Sequence, residues 1–311
     1  MSMMPAPPLT PDEVMAELAA ALPEDHRSQV IIIGSLAAGY HFFSGDAERS
    51  IRTKDIDCMF TPHAKAVAAA VQVTEGLLDA HWRPRTTGEW TAPGDAQTPD
   101  DRLPLIRLEP PRDEGAAGWF LELLGAPDGG LQQTKRFHRV PTRLGHYAIC
   151  SFNYLALAEW RPIETPYGVR IARPEMMALA NLLHHPKIGP ELIKGTEFKR
   201  SNKDLGRVLA LAWLTAYRDR REGTDELAAW APRMAEALRE RFPDRAQSLA
   251  RGAGAGLREL MSSAGDRDEA LRICNLGLLS SMEVGRDAFY ATGRRVIEQV
   301  IEPLAEVFSQ R

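Results

Sequence analysis

The sequence predicts an α+β protein, with a mixed sheet flanked by helices over residues 11–173 and a mostly α-helical domain over 174–311. Three observations point there. Short β-branched or alternating runs interleave with helical segments up to residue 172, and from Pro174 onward long helical periodicity takes over with few strand signals. The chain's 311 residues, 44% hydrophobic and 26% charged, suit two folded domains and exclude a disordered or collagen-like chain.

Residues 1–10 read as a loose tail, and Thr10-Pro11-Asp12-Glu13 then forms a capping box that opens a helix carrying Val14, Leu18 and Leu22. Gln29 to Ile33 is a short apolar run stopping at Gly34, which predicts a buried strand, with a small-residue helix from Leu36 to Phe43. A second strand follows, in which Ile56, Cys58 and Phe60 alternate with Asp55, Asp57 and Met59. Ala64 to Ala80 reads as an alanine-rich helix. Leu103 to Leu108 and Trp119 to Leu124 are predicted to form an antiparallel hairpin with a long loop, and apolar runs recur at Tyr147 to Phe152 and Val169 to Ala172. Helices are predicted over Leu205–Tyr217, Asp225–Arg241, Glu269–Ser280 and Arg286–Phe308, with Trp213 and Trp230 in the core.

Cys58, Cys150 and Cys274 are far apart and lack metal-ligand spacing, which argues against a disulfide scaffold or zinc ribbon. The start MSMMPAPPLT has neither a basic nor an apolar stretch, and no run approaches a membrane span, so the sequence reads as cytoplasmic and without a membrane partner. The net charge of −4 gives no overall bias toward polyanions. Its distribution is uneven: residues 1–100 carry 7 basic against 14 acidic side chains, and residues 131–222 carry 16 against 8. An anionic ligand, or two solvated faces of opposite sign, both account for this.

The chemistry concentrates at two places. A strand running into Gly34-Ser35 and a helix offers backbone N–H groups and a hydroxyl to phosphate oxygens. Asp55 and Asp57, at i and i+2, share one strand face amid apolar neighbours and repel each other unless a cation lies between them. Magnesium takes such a pair together with substrate phosphates. Glu122, the single charge in Trp119-Phe120-Leu121-Glu122-Leu123-Leu124, is the candidate third ligand for a two-metal site. Two other motifs read as structural: His184-His185-Pro186 as a helix end with no nearby acid, and Arg251-Gly252-Ala253-Gly254-Ala255-Gly256 as an interhelical linker.

Gly34-Ser35, Thr53-Lys54-Asp55-Ile56-Asp57 and an isolated acid in a later strand resemble the core of the DNA polymerase beta-like nucleotidyltransferase superfamily. The closest likeness is to bacterial nucleotidyltransferases of the abortive-infection AbiEii toxin type and their uncharacterised relatives. The resemblance covers residues 28–125. It extends more faintly to Val169-Arg170-Ile171-Ala172-Arg173-Pro174-Glu175 and Lys199-Arg200-Ser201-Asn202-Lys203-Asp204-Leu205. Asn181-Leu182 stands where the family often has Lys-Leu, which leaves Lys194, Lys199 or Lys203 to take the lysine's part.

The resemblance implies an N-terminal nucleotidyltransferase domain with Asp55, Asp57 and Glu122 as catalytic metal ligands for Mg²⁺. Gly34, Ser35, Thr53 and Lys54 would bind the nucleoside triphosphate, and Lys203 is expected to reach it across an interdomain cleft. The acceptor of the nucleoside monophosphate would be a tRNA, a protein or a small molecule such as an antibiotic, and toxin–antitoxin or phage-defence roles follow by likeness. The alternative is a catalytically silent relative whose helical half binds a partner such as a cognate antitoxin.

Overall fold

The computed structural model describes residues 10–46, 48–49, 55–86, 92–111, 119–127 and 136–309. The chain is α+β and divides into two compact units, 1–172 and 173–311, one residue from the boundary expected at 173/174.

In the first unit α1 (Pro11–Ala21) starts where Thr10 accepts from the Glu13 N–H and the Glu13 carboxylate accepts from Thr10, a full capping box. Thr10 therefore belongs to the helix. A short α2 (Glu24–Arg27) leads into β1 (Val30–Ile33), whose first three residues are fully buried. Helix α3 (Gly34–Phe43) begins directly at the glycine, two residues earlier than predicted. Strand β2 (Asp55–Phe60) precedes α4 (His63–Asp79), whose Ala66, Ala69, Ala70, Val73 and Leu77 form the buried stripe of an amphipathic helix.

The remaining strands are β3 (Arg83–Pro84), β4 (Arg107–Glu109), β5 (Phe120–Gly125), β6 (Arg136–Thr142), β7 (Gly145–Ser151), β8 (Ile163–Glu164) and β9 (Arg170–Ile171). They join one mixed sheet in the order β3-β4-β5-β2-β1-β9-β8, and β7 pairs with both β5 and β6. Strand β2 runs antiparallel to β1 and parallel to β5, which places the predicted acidic strand at the centre of the sheet.

The predicted strand Leu103–Leu108 is shorter than expected. Pro104 has no N–H to give a ladder; its carbonyl accepts from the Ala148 N–H on β7 and the Ile106 N–H donates to the Ala148 carbonyl, so β4 itself is confined to residues 107–109, with one further bond from the Leu123 N–H of β5 to the Ile106 carbonyl.

Among the described residues the second unit consists of helices with one isolated bridge, Leu192 to Lys199. Helix α5 (Pro174–His184) has proline at its first turn, and α6 (Arg200–Glu222) ends at Gly223 in the left-handed region. Leu205, Val208, Leu209 and Ala212 on α6 are fully buried, as their spacing predicts.

Helix α7 (Trp230–Arg241) starts later than expected, because Asp219 accepts from the backbone of Glu226 and Leu227 and holds that stretch as turns. Then come α8 (Ala246–Gly252), α9 (Ala255–Ser262), α10 (Ala264–Leu276), α11 (Arg286–Val296) and α12 (Glu302–Val307). The helix predicted over 286–308 is interrupted by a π-helical turn, Ile297–Ile301, just before Pro303, which lacks the N–H that an unbroken ladder needs. Trp230 is core, whereas Trp213 is half-buried and stacks on Tyr217.

Candidate active site

The sheet register assembles the first unit's candidate residues. Asp57 faces Ile33 on one neighbour strand and Glu122 on the other, and Asp55 faces Phe120. Adjacent strands lie about 4.8 Å apart, so Asp57 and Glu122 are immediate neighbours on one face, and Asp55 lies one pleat further along. Gly34 continues directly from Ile33 with φ +72°, and a Cβ there would stand 2.7 Å from Asp57 Oδ2. The Asp57 carboxylate thus lies against the Cα of the first residue of α3, and Ser35, half-buried, follows at once. Asp55 is exposed and Asp57 half-buried, so the pair grades from solvent into the sheet.

Glu122 comes to this face already committed. Its Oε2 lies 2.5 Å from Arg107 Nε, across the register pair of β4 and β5, and both side chains are largely shielded. The expected hairpin pairing is what makes this contact. Arg107 and Arg85 also lie over the Phe120 ring, at 5.8 and 4.1 Å from its centroid. Neither arginine was singled out from the sequence. The signal was there nonetheless, as a lone basic and a lone acidic residue on two apolar runs predicted to pair.

Among the described residues no three His, Cys, Asp or Glu side chains stand in a geometry that holds a metal. Two aspartates with hard oxygen donors still suit magnesium, which keeps several waters and takes phosphate oxygens alongside one or two carboxylates. A second metal shared with Glu122 requires that carboxylate to leave Arg107. Cys58 offers no thiolate: burial, then the Asp57 charge, push its thiol well above the usual range. Thr53 and Lys54 lie outside the described residues.

In the second unit Lys203 is half-exposed near the start of α6, and Lys199 is tied to Asp266 at 2.7 Å. The histidine pair does end a helix, but an acid is at hand: His185 Nε2 lies 2.8 Å from Asp204 Oδ2, 19 residues away. Burial alone would raise the Asp204 carboxyl, yet His185, Arg207 and Lys203 hold it below the usual aspartate range. A depressed carboxyl contributes stability above its unfolded value, near 4, and loses it as pH falls through the lower folded value. Asp204→Asn is therefore expected to cost roughly 1 kcal/mol at neutral pH. The gap to wild type should close in acid denaturation profiles below about pH 4, and a gap unchanged from neutral pH to pH 3 would contradict the pairing.

No family model, curated protein or solved structure matches the chain. Among the described residues no helix is long and apolar enough to cross a membrane.

Proposed function

We propose that the protein is a metal-dependent nucleotidyltransferase that moves a nucleoside monophosphate from a nucleoside triphosphate to an acceptor and releases pyrophosphate. The observation that carries this reading is the close approach of the Asp57 carboxylate to Gly34, which sets a metal-binding acid beside a helix start suited to phosphate.

In this reading Asp55 and Asp57 hold Mg²⁺. Bound there, the ion neutralises phosphate charge and polarises the α-phosphoryl oxygens. The Gly34-Ser35 backbone and the Ser35 hydroxyl bind terminal phosphate oxygens, because the first N–H groups of a helix have no partner within it. Glu122 is the third carboxylate, and it accepts the proton of the acceptor hydroxyl as that oxygen bonds to the α-phosphorus and the bond to the β-phosphate breaks. Positioning and charge stabilisation provide most of the rate.

Thr53 and Lys54 keep their proposed part through the sequence motif alone, as does Lys203. Lys203→Ala is expected to weaken triphosphate binding by about 1.5–3 kcal/mol, the range for a hydrogen bond to a charged group, with little change in thermal stability. Equal affinities of variant and wild type would remove Lys203 from the site.

One observation favours the silent alternative, a partner-binding module such as the target of an antitoxin: the Arg107 ion pair satisfies Glu122 without any metal. Incubation with each α-labelled nucleoside triphosphate, Mg²⁺ and total RNA, cell protein or a small-molecule extract separates the two. Magnesium-dependent labelling of an acceptor supports transfer and identifies the acceptor class. No label with any nucleotide, RNA, protein or small-molecule fraction supports the silent reading.

A further inference from the structure

The first unit contains a cavity of about 250 Å³ in whose lining Arg107, the partner of Glu122, takes part. Its walls are otherwise mostly apolar, with Pro84, Pro104, Leu105 and the buried Tyr147, and its charged lining residues are Arg85 and Arg107. Among the described lining residues none is acidic. Drug-sized ligands occupy roughly 300–1,000 Å³, so this volume suits a single ring system with one substituent. Two guanidinium forks favour a carboxylate or phosphate as that substituent, and proline and tyrosine faces favour the ring.

Both arginines have a carboxylate neighbour with which a bound oxyanion would compete. Arg85 Nε stands 3.6 Å from Glu109, whose side chain is 48% exposed, and that pair is weak. Arg107 is held at 2.5 Å by Glu122. We infer that the cavity binds a small ring compound carrying one oxyanion, and that this anion and Glu122 compete for Arg107. The cavity assignment stands on its lining alone. Its consequence rests on the proposed nucleotidyl transfer: an anionic acceptor that draws Arg107 away leaves the Glu122 carboxylate able to serve as metal ligand and base. The acceptor's arrival then completes the site, a form of induced fit. Linkage requires acceptor and metal to raise each other's affinity by the same factor.

Anthranilate, fluorescent and ring-bearing with one carboxylate, tests this by fluorescence anisotropy beside its neutral counterpart 2-aminobenzamide. Anthranilate should bind at least about tenfold more tightly than the amide, and Arg85→Gln or Arg107→Gln should remove that preference. The Arg85→Gln variant serves if Arg107→Gln fails to fold, because the ion pair it removes, with the half-exposed Glu109, is a weak one. Glu122→Gln, which removes the carboxylate charge that competes for Arg107, should tighten anthranilate. Competition by phenyl phosphate and by benzoate ranks phosphate against carboxylate.

Equal binding of acid and amide, no binding of anthranilate or phenyl phosphate, or indifference to the arginine variants would overturn the cavity assignment. In wild type, Mg²⁺ with a non-hydrolysable triphosphate should strengthen anthranilate binding, and in Glu122→Gln it should not. Anthranilate binding that ignores Mg²⁺ in wild type would overturn the coupling. Mg²⁺-dependent triphosphate binding, measured without anthranilate, shows separately whether the transfer reading itself has failed.

Discussion

Asp57→Asn is expected to lower magnesium-supported affinity for a nucleoside triphosphate by more than about 100-fold, since residues that merely support a metal ligand already contribute 10–100-fold. Asp57 occupies the centre of the arrangement: in register with Glu122 on β5 and Ile33 on β1, its Oδ2 pressed toward Gly34. An amide keeps the shape and loses the charge that binds the cation. The fold should hold or gain slightly, because Asp55 and Asp57 share one face of β2 and a neutral side chain relieves their mutual repulsion. Titration calorimetry with Mg²⁺ and with EDTA reads the affinity, and denaturant unfolding reads the stability. Wild-type affinity in the variant would sink the assignment of Asp57.

Gly34→Ala is expected to destabilise the first unit by about 3 kcal/mol, combining the left-handed penalty of 1–2 kcal/mol with the cost of an overpacked methyl. Gly34 has φ +72°, and the added Cβ would meet Asp57 Oδ2 at 2.7 Å, so the carboxylate must move or the turn must open. Either response disturbs the candidate metal site as well as the fold, and the variant should lose triphosphate binding along with stability. Denaturant unfolding with an unchanged slope measures the first effect. A loss under about 0.5 kcal/mol, within the range of an unremarkable surface substitution, would show that the turn tolerates a side chain and that Asp57 is not confined there.

The strands around the site were legible because their signals are local. Four consecutive β-branched residues ending at a glycine mark β1, and the alternation around Asp55 and Asp57 marks β2. The capping box of α1 and the buried stripe of α6 were readable for the same reason. Strand β6 was not legible. Its Arg136, His138 and Arg139 interrupt the apolar pattern, Pro141 argues against a strand, and only pairing with β7 makes it one.

Pairings between distant positions were equally hidden. Arg107 meets Glu122 through a register of β4 on β5 that depends on where Pro104 and Ile106 bond to Ala148 of β7. His185 meets Asp204 across a helix–helix connection whose geometry no spacing rule supplies. Candidate acids and the two runs that pair could thus be named from the sequence, while the register that sets Arg107 opposite Glu122 could not.

The most direct test of the central claim is electron paramagnetic resonance with Mn²⁺ in place of Mg²⁺, recorded on the full chain with and without a non-hydrolysable nucleoside triphosphate. Protein-bound Mn²⁺ should appear or strengthen with the triphosphate and be lost in the Asp55→Asn, Asp57→Asn double variant. A Mn²⁺ signal from free nucleotide complex alone, or one equal in wild type and double variant, would contradict the claim.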